Sequence, residues 1–281
     1  MVVSLMPRLS VVIVNYNTRD LLRACLQSLM QQTLPAHDLE IIVVDNASPD
    51  GSATMVAEAF PQVKLLAQTS NTWFCGGNNI GIRAATGDYV LLLNPDTEVA
   101  EDALATMLAF MDAHPDYAGC TAQMRYPDGS IQRTCSRVPT LTYLFVKHTP
   151  LTFFAGWRNR LDARHWYSEW DRESDYNVEV IPGSCTLMRR KDILLDDDLL
   201  LYYPEDDLAQ RTRRPFRYLT TAQITHHEKA ATQNWNATRI YYRDLLVYVR
   251  KHHGIVAMVM LWLLSRPLYW GMWLKNRVSS S

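Results

Sequence analysis

The 281-residue chain balances 28 Lys and Arg against 29 Asp and Glu, a formal net charge of −1, and 48% of its residues are apolar. Near-neutrality excludes the broadly basic surface that nucleic acid demands, and this much apolar sequence can bury the core of one large α/β domain, with or without an appendage. The five cysteines (Cys25, Cys75, Cys120, Cys135, Cys185) are odd in number and lack CxxC or zinc spacing, which argues against a disulfide framework and predicts reduced thiols in a cytoplasmic protein.

Residues 1–9 hold no basic stretch followed by an apolar run of signal-peptide length, so no secretion signal is expected. Leu9–Val14 is fully apolar and β-branched, as a strand covered on both faces would be, and Arg19–Gln31 follows with apolar residues at helical spacing. Glu40–Val44 repeats the strand pattern, Asn46–Gly51 is turn chemistry and Ser52–Phe60 reads as a helix. Val63–Ala67 is a third strand, Asn71–Asn79 a Gly/Asn-rich loop leading to a short helix through Ala85, Tyr89–Leu93 a fourth strand and Glu101–His114 a fourth helix. Such alternation predicts a Rossmann-like, mostly parallel sheet with helices on both faces. Beyond Pro115 the rhythm breaks into shorter strands, Ala118–Arg125 and Val178–Arg189, and Thr140–Tyr176 is aromatic-rich without a readable period. Two helices are expected between Asn234 and Lys275, broken near Gly254; Ile255–Leu264 is apolar, but Arg266 and Pro267 interrupt it and make it a poor membrane span.

Open parallel sheets bind ligands at the carboxyl ends of their strands. Here the first strand runs into Asn15-Tyr16-Asn17, the second into Asp45-Asn46-Ala47-Ser48 and the fourth into Asn94-Pro95-Asp96. Each cluster alone is ordinary turn and cap chemistry; three on one rim point to a polar ligand. Asp96, following a proline directly after an apolar strand, must project from the sheet end. One or two such carboxylates suffice for Mg²⁺ or Mn²⁺ where a diphosphate completes the shell. In the Gly/Asn loop, Gly76, Gly77, Asn78, Asn79 and Gly81 would let a ligand approach the backbone. That loop matches neither a P-loop nor GxGxxG, and the first strand is not followed by glycines.

Together these segments resemble the bacterial family 2 glycosyltransferases of GT-A fold, particularly their rhamnosyltransferase branch. The likeness runs over residues 8–232, carried by Ser10–Asn17, Val43–Ser52, the Gly/Asn loop through Ile82, Leu93–Asp96, Pro127–Gln132 and Pro182–Ser184. It implies a GT-A domain at 1–232, with a nucleotide-binding half (1–115) and an acceptor and catalytic half (116–232), followed by C-terminal helices at 233–281. It further implies that Asn15, Asn17, Asp45, Asn46, Gly77, Asn79, Asn94 and Asp96 bind a dTDP- or UDP-sugar, and that Asp96 with His226 or His227 holds the divalent metal. In the same likeness Asp206 is the base, with Glu205 and Asp207 as alternatives. Gln132 and Arg133 are acceptor candidates, although a solvated hairpin explains them equally well. The acidic motif Glu205-Asp206-Asp207-Leu208 lacks a spacer residue that the family usually has, and fewer residues than usual separate Arg189-Arg190 from Asp197.

The expected activity is inverting, metal-dependent transfer, best matched by L-rhamnose from dTDP-rhamnose, onto a cell-surface or polyprenyl-linked glycan at the inner face of the cytoplasmic membrane. A sugar-1-phosphate nucleotidyltransferase would want an N-terminal glycine-rich loop with Arg and Lys, and a non-catalytic nucleotide-sugar or glycan-binding protein would fit the shortened acidic segment. Residues 239–281 carry seven Lys and Arg against one Asp among Trp, Tyr, Leu and Met, which reads as an interfacial helix pair. The alternative is a hairpin packed on the catalytic domain or in a homodimer interface.

Overall fold

A computed structural model describes residues 7–228 and 235–279; residues 1–6 and the expected boundary at 232/233 lie outside the described residues. The first half runs β1 (Leu9–Asn15), α1 (Arg19–Met30), β2 (Leu39–Asp45), α2 (Ser52–Ala59), β3 (Lys64–Ala67), α3 (Trp73–Ala84), β4 (Tyr89–Leu93), β5 (Thr97–Val99) and α4 (Ala103–Ala113). Then follow β6 (Gly119–Arg125), α5 (Leu141–His148), a 3₁₀ turn at Pro150–Phe153, α6 (Ala155–His165), β7 (Tyr176–Val178), β8 (Cys185–Arg189), α7 (Pro204–Thr212), β9 (Phe216–His226) and α8 (Trp235–Ser279).

The strands form one sheet in the order β3-β2-β1-β4-β8-β6-β9-β5, with β7 on β9. Strands β1 to β4 pair in parallel, whereas β8 runs antiparallel to both β4 and β6, so the sheet is parallel in its N-terminal half and mixed beyond. Side chains alternate between two cores, as the period of a strand requires. Val11 and Ile13 pack with residues of α1, α2 and α4 on one face, and Val12 packs with α3 and α7 on the other. This is the α/β GT-A architecture expected from the sequence.

Three sequence expectations need correction. The Gly/Asn segment is helix, not loop, from Trp73 onward. Its glycines serve close packing: a Cβ on Gly77 would come 2.7 Å from Val14 Cγ1, and one on Gly81 2.3 Å from Val12 Cγ1. Glycine frequency reads as a loop in sequence, yet here it lets α3 lie against β1. The expected strand Val178–Arg189 is two strands, separated by the Pro182-Gly183 turn. Finally, the break near Gly254 is as expected, but Arg266 and Pro267, expected to make the C-terminal stretch a poor membrane span, leave its helix unbroken. The break in α8 is at Gly254, whose φ of 87° and ψ of 168° only glycine adopts readily, and the second arm continues helical through Pro267. By length and composition it could cross a membrane, with a mean hydropathy of 1.4 over its most apolar window.

Candidate active site

Because β2, β1 and β4 are neighbours, the polar clusters at their ends form one rim, and Asn15 lies directly across from Asp45. The buried Asn15 donates from Nδ2 to Asp45 Oδ1 at 2.8 Å and to Ser48 Oγ at 3.1 Å, and Asp45 Oδ2 accepts the Ser48 N–H at 3.0 Å. Asn46 pins the start of α3: its Oδ1 accepts the Thr72 hydroxyl at 2.7 Å and its Nδ2 donates to the Trp73 carbonyl at 3.1 Å. Three non-glycine residues at this rim hold left-handed backbone, Asn17 (φ 58°), Ala47 (φ 60°) and Trp73 (φ 63°). Strain of this kind persists only where surrounding contacts enforce it, and it gathers at binding sites. Asn17 donates its N–H to Ser48 Oγ, and the Tyr16 ring between the two asparagines is exposed. Gly77 and Asn79 face elsewhere. Gly77 lies on Val14, and the buried Asn79 exchanges hydrogen bonds with the Leu195 backbone and donates to Asp197 Oδ1 at 2.6 Å.

At the end of β4, Asn94 donates its N–H to the Ser184 carbonyl, which brings the Pro182–Ser184 turn alongside. The turn at Pro95-Asp96 feeds β5, which pairs antiparallel with β9 so that Thr97 stands opposite His226. Asp96 Oδ1 is thereby 3.4 Å from His226 Nε2, both side chains being mostly buried. Gln132 holds the same imidazole twice: its Oε1 lies 2.9 Å from Nδ1 and its Nε2 donates to the His226 carbonyl at 2.8 Å. With the proton on Nδ1 facing Gln132, Nε2 keeps its lone pair toward Asp96, the arrangement a metal-binding histidine needs. His227 points away, 2.6 Å from Glu98 Oε1, so of the two histidines His226 is the one beside Asp96. No group of three or more metal-ligating side chains occurs among the described residues. Asp96 and His226 are a two-donor set, which suits a hard cation whose remaining ligands come from a diphosphate and water.

The acidic segment opens α7. Tyr203, immediately before it, is left-handed (φ 66°), and its hydroxyl meets the Tyr241 hydroxyl at 2.9 Å and His148 Nε2 at 3.3 Å. Glu205 reaches Gly183, where a Cβ would fall 2.0 Å from Glu205 Oε1, so the missing side chain admits the carboxyl. Burial pushes Glu205 up to about 7 despite the Gly183 N–H bonding to it. Burial, reinforced by the neighbouring Glu205 charge, pushes Asp206 up to about 8. Asp207 differs. Burial alone would raise it, but hydrogen bonds from Lys251, Arg211 and His252 outweigh that and hold it below the usual carboxylate range. These partners stand at 2.7, 2.8 and 2.8 Å. Of the three acids, then, Asp207 is fully engaged in joining α7 to α8, while Glu205 and Asp206 keep carboxyls with a basicity suited to proton transfer near neutral pH.

The sequence profile described as "Glycosyl transferase family 2" matches residues 10–195, which contain the whole rim. The chain belongs to that family. This glycosyltransferase is 36% identical over 246 residues to the "Uncharacterized glycosyltransferase YibD" of Escherichia coli (strain K12), covering 83% of this chain and 68% of that protein. It is 23% identical to the "N-acetylglucosaminyl-diphospho-decaprenol L-rhamnosyltransferase" of Mycobacterium tuberculosis (strain CDC 1551 / Oshkosh), covering 88% of this chain and 85% of that one. Its fold is similar to the mannosyltransferase PcManGT from Pyrobaculum calidifontis, solved with GDP-Man and Mn²⁺, at a TM-score of 0.57, 18% identity and coverage of 95% of this chain and 73% of that one. It is also similar to S. aureus TarS at a TM-score of 0.55 and 16% identity, matching 86% of this glycosyltransferase and spanning only 40% of that longer chain.

Two features of the glycosyltransferase site were not visible in its sequence. Gln132 is buried against His226, whereas Arg133 beside it is exposed in a groove with Lys147, Asn159, Asp162 and Trp166. And Asp244, from the first arm of α8, is fully buried and accepts the N–H groups of Leu200, Leu201 and Tyr202 at 3.2, 2.8 and 3.0 Å, gripping the loop that leads into the acids.

Proposed function

We propose that this family 2 glycosyltransferase transfers a sugar, L-rhamnose from dTDP-rhamnose being the best match, with inversion onto a cell-surface or polyprenyl-linked glycan at the cytoplasmic face of the membrane. The observation that carries the reading is the opposition of two sites across one turn. Asp96, between β4 and β5, and His226, the last residue of β9, stand on one side, while Glu205 reaches Gly183 with Asp206 beside it in α7. The rhamnosyl donor is supported by the mycobacterial relative, whose named activity is L-rhamnosyl transfer. A UDP-sugar is the other donor that the rim would admit.

In this reading the nucleoside lies along Asn15–Asn17 and Asp45, with Tyr16 free to stack on the base, and Asn94 lines the diphosphate end. Gly77 and Asn79 shape the pocket by seating α3. Asp96 and His226 would hold Mg²⁺ or Mn²⁺, which neutralises charge on the departing diphosphate. An acceptor hydroxyl is a weak nucleophile, so a carboxylate must take its proton as it attacks the anomeric carbon. Asp206 fills that role, its carboxyl kept basic by burial and by Glu205, which is tethered at Gly183. The groove of Arg133 and Trp166 offers a cation and an aromatic face to an acceptor carrying phosphate and sugar.

The test is a screen of nucleotide sugars for thermal stabilisation with and without Mn²⁺, since a bound donor stabilises by mass action, followed by product NMR with the best donor. Metal-dependent stabilisation by dTDP-rhamnose, its loss in Asp96→Ala, and a product anomer opposite to the donor's are expected. Stabilisation by another sugar would replace the donor, and a retained anomeric configuration would overturn the base assignment.

A further inference from the structure

The second arm of α8 is apolar on both sides. Its inner face carries Ala257, Leu261 and Ser265, all buried, with Met258 and Tyr269 packed against Tyr242, Leu245 and Tyr248 of the first arm and Leu144 of α5. Its outer face exposes Ile255, Val256, Met260, Leu263, Trp270 and Leu274, with Ile255 at 64% and Val256 at 71%. The 3₁₀ turn packs on α8, and it and the start of α6 present Phe153 at 76%, Phe154 at 64% and Trp157 at 44% exposure. Phe153 and Phe154 are the most exposed aromatics in the described chain outside α8. An apolar patch of this kind marks an interaction surface.

Its charges say what covers it. Residues 255–279 contain Arg266, Lys275 and Arg277 and no Asp or Glu. Arg266 sits over the rings of Trp262 and Tyr269 at 5.2 and 4.6 Å, and Arg277 over Trp273 at 4.3 Å, so the cations are held among the aromatics. Exposed Arg160 and Arg164 flank the Phe153–Trp157 side, whose Asp162 is paired with Lys147. A second copy meeting this patch about a two-fold axis would set cations against cations with no carboxylate to answer them. An anionic phospholipid surface answers both the apolar and the cationic parts.

We propose that the outer face of residues 255–274 and the Phe153-Phe154-Trp157 edge form one composite docking surface for an anionic bilayer, with the arm lying in the headgroup layer. A transmembrane path is disfavoured because the inner face would have to abandon Leu261 and Ser265 from the core they help fill. The inference deepens the glycosyltransferase reading: it takes the acceptor to be lipid-linked, entering the Arg133 groove from the bilayer side.

The experiment is vesicle flotation of the full chain with pure phosphatidylcholine and with phosphatidylcholine containing phosphatidylglycerol. The variants are Leu263→Glu with Phe154→Glu, and Arg266→Gln with Arg277→Gln, each also measured for donor-induced thermal stabilisation. Flotation confined to the anionic vesicles is expected. It should weaken about five-fold per cation removed and vanish in the double glutamate variant, while donor stabilisation is unchanged. Flotation of the glutamate variant equal to the parent's overturns the surface. So does resistance of bound protein to alkaline carbonate, which would show insertion, or a vesicle-indifferent dimer that the glutamates convert to monomer. An absent donor response in the parent would instead defeat the glycosyltransfer reading and leave the flotation result standing.

Discussion

At the residue scale, the site's chemistry turns on groups that are held as much as on groups that react. Gln132 fixes the ring orientation and proton of His226 from two directions, so removing it should let the ring rotate and the lone pair leave Asp96. Gln132→Ala is expected to lower Mn²⁺ affinity ten- to a hundred-fold, read by Mn²⁺ electron paramagnetic resonance on the free enzyme, with the thermal midpoint little changed. An unaltered affinity would return Gln132 to the acceptor side. The raised Glu205 and Asp206 carboxyls make a second prediction. If Asp206 must be ionised to act, kcat/KM should climb about tenfold per pH unit up to about pH 8 and then level. Asp206→Asn should remove that limb and lower kcat by two to four orders of magnitude, the range that general-base catalysis supplies, and a surviving limb would move the role to Glu205. The same shifts act on stability. Native carboxyls titrating near 7 and 8 keep protons that the unfolded chain gives up at its ordinary values, so their contribution is complete at low pH and is lost as pH rises through 7 to 8. Asp207 works in reverse, stabilising above its ordinary value and losing that contribution as acid protonates it.

At the element scale, helix α7 is positioned from outside the sheet. Asp244 grips the loop before it, and Asp207 takes Lys251 and His252 from the first arm of α8. Removing one member of such a buried charged network strands the others. Asp207→Asn is expected to cost about 2–3 kcal/mol in urea denaturation, with donor affinity kept because no donor group is touched. An unchanged midpoint would show that the network contributes nothing net. On the same face of the sheet, Gly81→Ala should destabilise by about 1–3 kcal/mol, the usual cost of overpacking, because its Cβ has no space beside Val12. This pair also marks how legible the chain was. Strands β1, β2 and β4 and the rim were readable because buried parallel strands are apolar throughout and end abruptly in Asn and Asp. The first half of helix α3, through Asn79, reads as loop in sequence because Gly and Asn favour turns locally, and only the neighbouring strand explains why small residues are needed. Asp244 was unreadable for a related reason: a lone acid in a basic helix looks solvated until the loop that it binds is in place.

At the scale of the whole molecule, the expected division near residue 232 separates sequence styles, yet the first arm of α8 braces the domain by packing with α5 and Tyr203. Ending the chain at residue 232 is therefore expected to abolish a cooperative thermal transition monitored by near-ultraviolet circular dichroism, rather than to release a stable catalytic domain. A sharp transition with the parent midpoint would show the opposite. The aromatic stretch between Thr140 and Tyr176 is opaque in sequence because α5 and the 3₁₀ turn pack on α8, far along the chain, and α6 packs on α5, rather than following the strand-helix rhythm of the first half.

The grip of Asp244 on residues 200–202 has a consequence for the order of events during synthesis. The rim, Asp96, His226 and the acids of α7 all leave the ribosome before residue 244 does, so a growing chain carries them while the loop at residues 200–202 still lacks its anchor. A chain interrupted shortly before residue 244 would therefore carry Glu205 and Asp206 without the hydrogen bonds that hold the loop leading into them.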